Sequence, residues 1–90
     1  DDYEVLGLIN LKKGNMKLSK KYLEKSLKIR EKFFGEYLVP EIARAYANLA
    51  EFYEINKDNV KAKEYENKAK YIYNIVYNKD HPKLKELKRN

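Results

Sequence analysis

The feature that most restricts what this chain can fold into is that it repeats itself. Tyr3, Leu6 and Gly7 recur as Tyr46, Leu49 and Ala50, each 43 residues further on. The match extends to SKKYLEKSLKI at 19–29 and AKEYENKAKYI at 62–72, which align without a gap: Ser19 falls on Ala62, Tyr22 on Tyr65, Ser26 on Ala69 and Ile29 on Ile72. A third, partial copy opens at Pro82, 42 residues after Pro40, just as Asn90 lies 42 after Asn48. Self-similarity at such a period belongs to architectures in which each unit buries its apolar face only against its neighbours. Two copies are therefore expected to be weakly stable alone, or to self-associate through an exposed end.

Each copy reads as two helices. EIARAYANLAEFYEI, 41–55, follows Pro40, which suits a first helical turn where the missing N–H has no partner to lose. At 100° per residue Ile42, Tyr46, Leu49, Ala50 and Tyr53 share one face, with alanines such as Ala43 and Ala50 permitting close approach of a second helix. Lys13-Gly14-Asn15 is the first turn, with Gly14 free to adopt the left-handed conformation that closes a helix. The second turn, Asn56-Lys57-Asp58-Asn59, lacks glycine, so a different turn is expected there. The spacing predicts helices over 3–13, 16–34, 41–55, 60–77 and 82–89, no strand, and an all-α fold with Tyr3 and Tyr46 turned inward.

Composition narrows the function. Ninety residues with 43% apolar content and nine tyrosines suit a small folded unit. The absence of cysteine removes disulfides and thiolate ligands, and points to a cytoplasmic setting. No apolar run approaches a membrane span, so no membrane partner is expected. The chain begins at Asp1 without methionine, which reads as a segment of something longer. The net charge of +6 is spread evenly, and lysine far outnumbers arginine, whereas phosphate and base recognition favours arginine. A solvated helix surface explains it better than specific nucleic-acid binding. The single histidine, His81, precedes Pro82 in a linker, and Gly7, Gly14 and Gly35 do not cluster into a phosphate loop. No nucleophile, base or metal-ligand spacing stands out, so neither an enzyme nor a cofactor or metal site is expected.

Tyr3-Glu-Val-Leu6-Gly7 and Tyr46-Ala-Asn-Leu49-Ala50-Glu-Phe-Tyr53, followed by small residues on the second helix, resemble the tetratricopeptide repeat. More narrowly, LKIREKFFG at 27–35, ANLAEFY at 47–53 and NKDHPKL at 78–84 are similar to the longer, 42-residue repeats of the kinesin light chain type. Asn10 departs from an expected tyrosine, Val5 stands at the site equivalent to Asn48, and GEYLVPEI is one residue longer than its counterpart linker. The resemblance implies a right-handed α-solenoid of antiparallel helix pairs, with units at about 1–38 and 39–80 and a partial third at 81–90. First helices would line a concave, peptide-binding face.

Helical geometry independently sets Arg44, Asn48, Glu51 and Ile55 opposite the core stripe, with Asp1, Val5, Leu8 and Lys12 as the equivalent stripe. The resemblance makes Asn48 the residue that grips peptide backbone, since its amide both donates and accepts. Val5 and Leu8 fit either an apolar peptide contact or packing against a preceding helix. The expected function is a protein-interaction module, an adaptor or scaffold binding a peptide or partner helix. The alternatives are an electrostatic binder of nucleic acid or acidic surfaces through Lys17, Lys20, Lys21 and Lys28, or an architectural spacer that binds nothing.

Overall fold

The computed structural model describes residues 1–77. It contains four helices, α1 (Asp2–Lys13), α2 (Met16–Phe34), α3 (Pro40–Ile55) and α4 (Asn59–Val76), with no strand among the described residues. The helix expected over 82–89, the partial third unit and His81 lie outside them. The helices pair as two hairpins, α1 with α2 and α3 with α4, and α3 then stacks on α2 and touches α1. This is an all-α helical-repeat architecture, and the observed helix bounds fall within a residue of those expected.

Capping explains the starts. The Asp1 carboxylate accepts the Glu4 N–H at 2.7 Å, and Asp58 accepts the Lys61 N–H at 3.2 Å. Each satisfies one of the unpaired amides of a first turn. The turns correct an expectation: both hairpins use the same one. In the first, the Asn15 N–H donates to the Asn10 carbonyl and the Gly14 N–H to the Leu11 carbonyl. In the second, Asp58 donates to Tyr53 and Lys57 to Glu54. These paired bonds require a left-handed residue, supplied by Gly14 at φ 81° and by Lys57 at φ 63°. The hydrogen-bond pattern and the hairpin packing impose the conformation on lysine, at a cost of about 1 to 2 kcal/mol that glycine avoids.

The core brings together Leu11, Leu23, Leu27, Ile42, Leu49, Phe52, Tyr53 and Ile72 with small residues from α3 and α4. Ile42, Leu49, Ala50 and Tyr53 are buried as their spacing predicts, and Tyr46 is partly buried. Ala45 and Phe52 are each only 2% exposed, although they lie off that stripe. The reason is positional: α3 is packed on one side by its own hairpin partner and on the other by α2. Among the described residues none packs on that second side of α1, so Leu6 and Ile9, which align with Leu49 and Phe52, are exposed.

Tyr3 and Tyr46 both turn inward, each with its ring 6.0 Å from the tyrosine of the following helix, Tyr22 or Tyr65. Lys25 lies over the Tyr3 ring and Lys68 over Tyr46, so the whole aromatic and cation contact recurs from one copy to the next.

Small residues set how closely each hairpin closes, but by different chemistry. At Gly7 an added Cβ would fall 2.6 Å from the Leu23 Cδ2, and the Gly7 carbonyl accepts the buried Ser19 hydroxyl at 2.8 Å. Ala50, Ala62 and Glu66 occupy the corresponding positions in the second copy, where Glu66 is only partly buried.

Three substitutions test these contacts by thermal or urea unfolding. Lys57→Gly should stabilise the protein by about 1 kcal/mol, a rise in Tm of roughly 4 to 8 °C for a chain of this size. Gly7→Ala should destabilise by about 1 to 3 kcal/mol through overpacking. Leu23→Ala should then cost less in the Gly7→Ala background than in the parent.

Candidate functional site

The first helices of the two copies, α1 and α3, lie side by side, and a charged cluster ties their shared surface together. Glu4 is its centre. A single oxygen, Oε2, receives Arg30 Nη2 at 2.9 Å, Asn48 Nδ2 at 2.9 Å and Arg44 Nε at 3.2 Å. Arg30 comes from α2, and its side chain is only 7% exposed. Its Nε lies 3.3 Å from Asp1 Oδ2, and its Nη1 donates to the Glu41 carbonyl at 2.8 Å. The Ser26 hydroxyl bridges both Asp1 oxygens at 3.1 Å. One arginine therefore touches the start of α1 and the first turn of α3. Its fork of donors suits this task, since a lysine ammonium could not reach three acceptors in these directions.

The electrostatics follow from this geometry. Burial raises the Glu4 pKa, but the charges of Arg30 and Arg44 and the hydrogen bonds from Arg30 and Asn48 outweigh it and hold the carboxyl below its ordinary 4.5. On the far side of α3, burial raises the Tyr46 hydroxyl pKa, and nearby Glu31 raises it further.

The residues expected to line the peptide face separate into groups. Arg44 and Asn48 converge on Glu4, Arg44 exposed and Asn48 partly buried. Val5 and Ile55 are exposed, at 54% and 51%, and Lys12 is exposed on α1. Leu8 packs against the core instead of standing free. Asp1, exposed, caps α1 and joins the cluster. Glu51 does not join Arg44: it borders a separate cleft with Ala50, Ala69 and Tyr73.

Sequence reasoning missed Arg30 and Glu4. A signal existed for Arg30, an arginine in a lysine-rich chain on the stripe Ser19, Leu23, Ser26, Leu27, Arg30, all buried at helical spacing.

The outer surface of α2 is different in kind. Lys17, Lys20, Lys21, Lys25 and Lys28, with Glu24, border an open depression of about 480 Å³. Among the described residues no group of His, Cys, Asp or Glu is placed to hold a metal ion, and no helix is long and apolar enough to cross a membrane.

Residues 3–33, covering nearly all of the first hairpin, match the family model of the tetratricopeptide repeat. No curated protein and no solved structure matches the chain. The match supports a repeat of this type in the first copy, and the second copy repeats its turn hydrogen bonds and aromatic pair.

The cluster predicts a pH dependence. Because the folded pKa of Glu4 lies below 4.5, the unfolded chain binds more protons between the two values. The stabilisation is complete above that range and is lost as pH falls through the folded pKa. Urea unfolding across acid pH should show this component in the parent and not in Glu4→Gln. Arg30→Met should cost about 3 kcal/mol at neutral pH, by leaving Asp1 and Glu4 short of their buried counter-charge.

Proposed function

We propose that this chain is a protein-interaction module of the tetratricopeptide type, an adaptor or scaffold segment. In this reading it holds an extended peptide or a partner helix on the face shared by α1 and α3. The observation that carries the proposal is the position of Asn48, partly buried between the two first helices and oriented by Glu4. The bond to Glu4 uses one amide N–H and leaves the geometry of Asn48 fixed. Its second N–H and its oxygen then serve a peptide backbone, with Arg44, Ile55, Val5 and Lys12 around it. Leu8 contributes from below by supporting the helix, and Glu51 belongs to the margin.

The narrower kinship with kinesin light chain type repeats rests on LKIREKFFG, ANLAEFY and NKDHPKL. It gives units of about 1–38 and 39–80 within a cytoplasmic array, with a third opening at 81–90. The bare Leu6 and Ile9 on α1 support packing against a preceding helix or self-association through that end.

A second reading is favoured by the lysine-lined depression on α2, which suits nucleic acid or an acidic surface. Such binding would be sequence-blind and steeply weakened by salt, because counterion release drives it. Affinity for DNA that survives physiological salt would displace the peptide reading.

The test of the leading proposal uses a peptide recovered by pulldown with the full-length protein. Asn48→Ala should weaken its binding by about 1 to 3 kcal/mol, because the peptide groups lose partners in a partly desolvated site. Folding stability should fall by only about 1 kcal/mol, since Glu4 keeps both arginines. Unchanged affinity in isothermal titration would remove Asn48 from the site.

A further inference from the structure

The linker between α2 and α3 carries Tyr37, 77% exposed, directly before Leu38, also exposed. Leu38 and Tyr71, an α4 residue 62% exposed, stand at the edge of an open depression of about 380 Å³. Tyr46 and Ile72 form its floor, and Asn67 and Lys68 complete its border. Single exposed rings need no explanation, but a group of them at the mouth of an apolar depression marks an interaction site. Lys68 is held over two rings, 5.5 Å from the centroid of Tyr46 and 5.6 Å from that of Tyr65, and pairs with no carboxylate among the described residues. The first copy places Lys25 over Tyr3 in the same way, but has Glu24 and Lys28 where the second has Asn67 and Tyr71. Two charges have given way to an amide and an exposed ring, an exchange that a merely solvated helix surface does not call for.

We propose that this depression seats Tyr37 of a second copy of the chain, in a two-fold dimer where each copy does the same for the other. Protrusion and depression adjoin, because Leu38 follows Tyr37 and itself lines the depression. One surface therefore carries both halves of the contact, which is what a two-fold interface requires. The linker holds Tyr37 out in advance: the Gly35 N–H donates to the Glu31 carbonyl at 2.8 Å and the Tyr37 N–H to the Phe34 carbonyl at 3.2 Å. Little freedom is then lost on docking. The entering ring covers Tyr46 and Ile72 and lies against Tyr71. Glu36, exposed and in no ion pair among the described residues, arrives with it and meets Lys68. The contact uses neither Asn48 nor the bare Leu6 and Ile9 of α1, so it is separate from the proposed peptide face and from the end of the stack.

Sedimentation equilibrium of the full chain tests this at about 0.15 M salt, which screens the repulsion between two chains of charge +6 beyond about 8 Å. The expected result is a monomer–dimer equilibrium below about 1 mM. Tyr37→Ser and, on the receiving side, Tyr71→Ser should each abolish the dimer with the circular dichroism of the helices unchanged. Glu36→Lys and Lys68→Glu should each weaken it by about tenfold or more, and the two together in one chain should restore it. A chain that stays monomeric at about 1 mM would overturn the proposal. So would a dimer that survives Tyr37→Ser but is lost with Leu6→Ser and Ile9→Ser, which places the contact on α1. Charge reversals that add instead of cancelling would equally overturn it.

Discussion

Arg30 is the point on which the stacking of the two hairpins depends. Apolar contact alone holds helices together without settling their register closely, since leucine and alanine surfaces slide at modest cost. A buried guanidinium does settle it, because every donor it fails to place costs desolvation energy. Arg30 meets Asp1 at the cap of α1, Glu4 a turn later and the Glu41 carbonyl at the start of α3. Shifting α3 along α2 by even one turn would strand this charge. Asn48 and Arg44 gain their positions from the same centre, so the candidate site is held by the interface between repeats and not by α3 alone.

The exchange of small residues between the copies shows how one architecture tolerates two chemistries. In the first, glycine accommodates the leucine of the facing helix and a serine hydroxyl donates to the buried glycine carbonyl. In the second, alanine is allowed because the facing position is Glu66, whose side chain extends outward to Lys70. Neither set would work if its members were mixed singly: alanine with Leu23 overlaps, and glycine with Glu66 leaves backbone uncovered in a helix it weakens.

How much of this was legible in the sequence divides along physical lines. Helix bounds and the inward tyrosines were legible because they follow from periodicity and local capping, which act within a few residues. The second turn was misread because residue preference was weighed without the hydrogen bonds that force Lys57 to positive φ. Ala45 and Phe52 escaped a one-face reading because burial of α3 on its second side is a property of the stack. The likeness of the first copy to the tetratricopeptide repeat was read from Tyr3, Leu6 and Gly7, and residues 3–33 match that family model. The site was only partly legible. Angular reasoning placed Asn48 and Arg44 on one face of their helix, but the partner they share in the structure, Glu4, lies 40 or more residues away in sequence, beyond the reach of any local rule.

The double-sided burial of α3 also bears on how the molecule forms. Most contacts join consecutive helices, a low-contact-order arrangement that favours rapid folding. Among the described helices every contact between the two hairpins involves α3, so its docking is the step at which local hairpins become one cooperative unit. Substitutions at Leu49 or Phe52, both buried in α3, are therefore expected to slow folding itself.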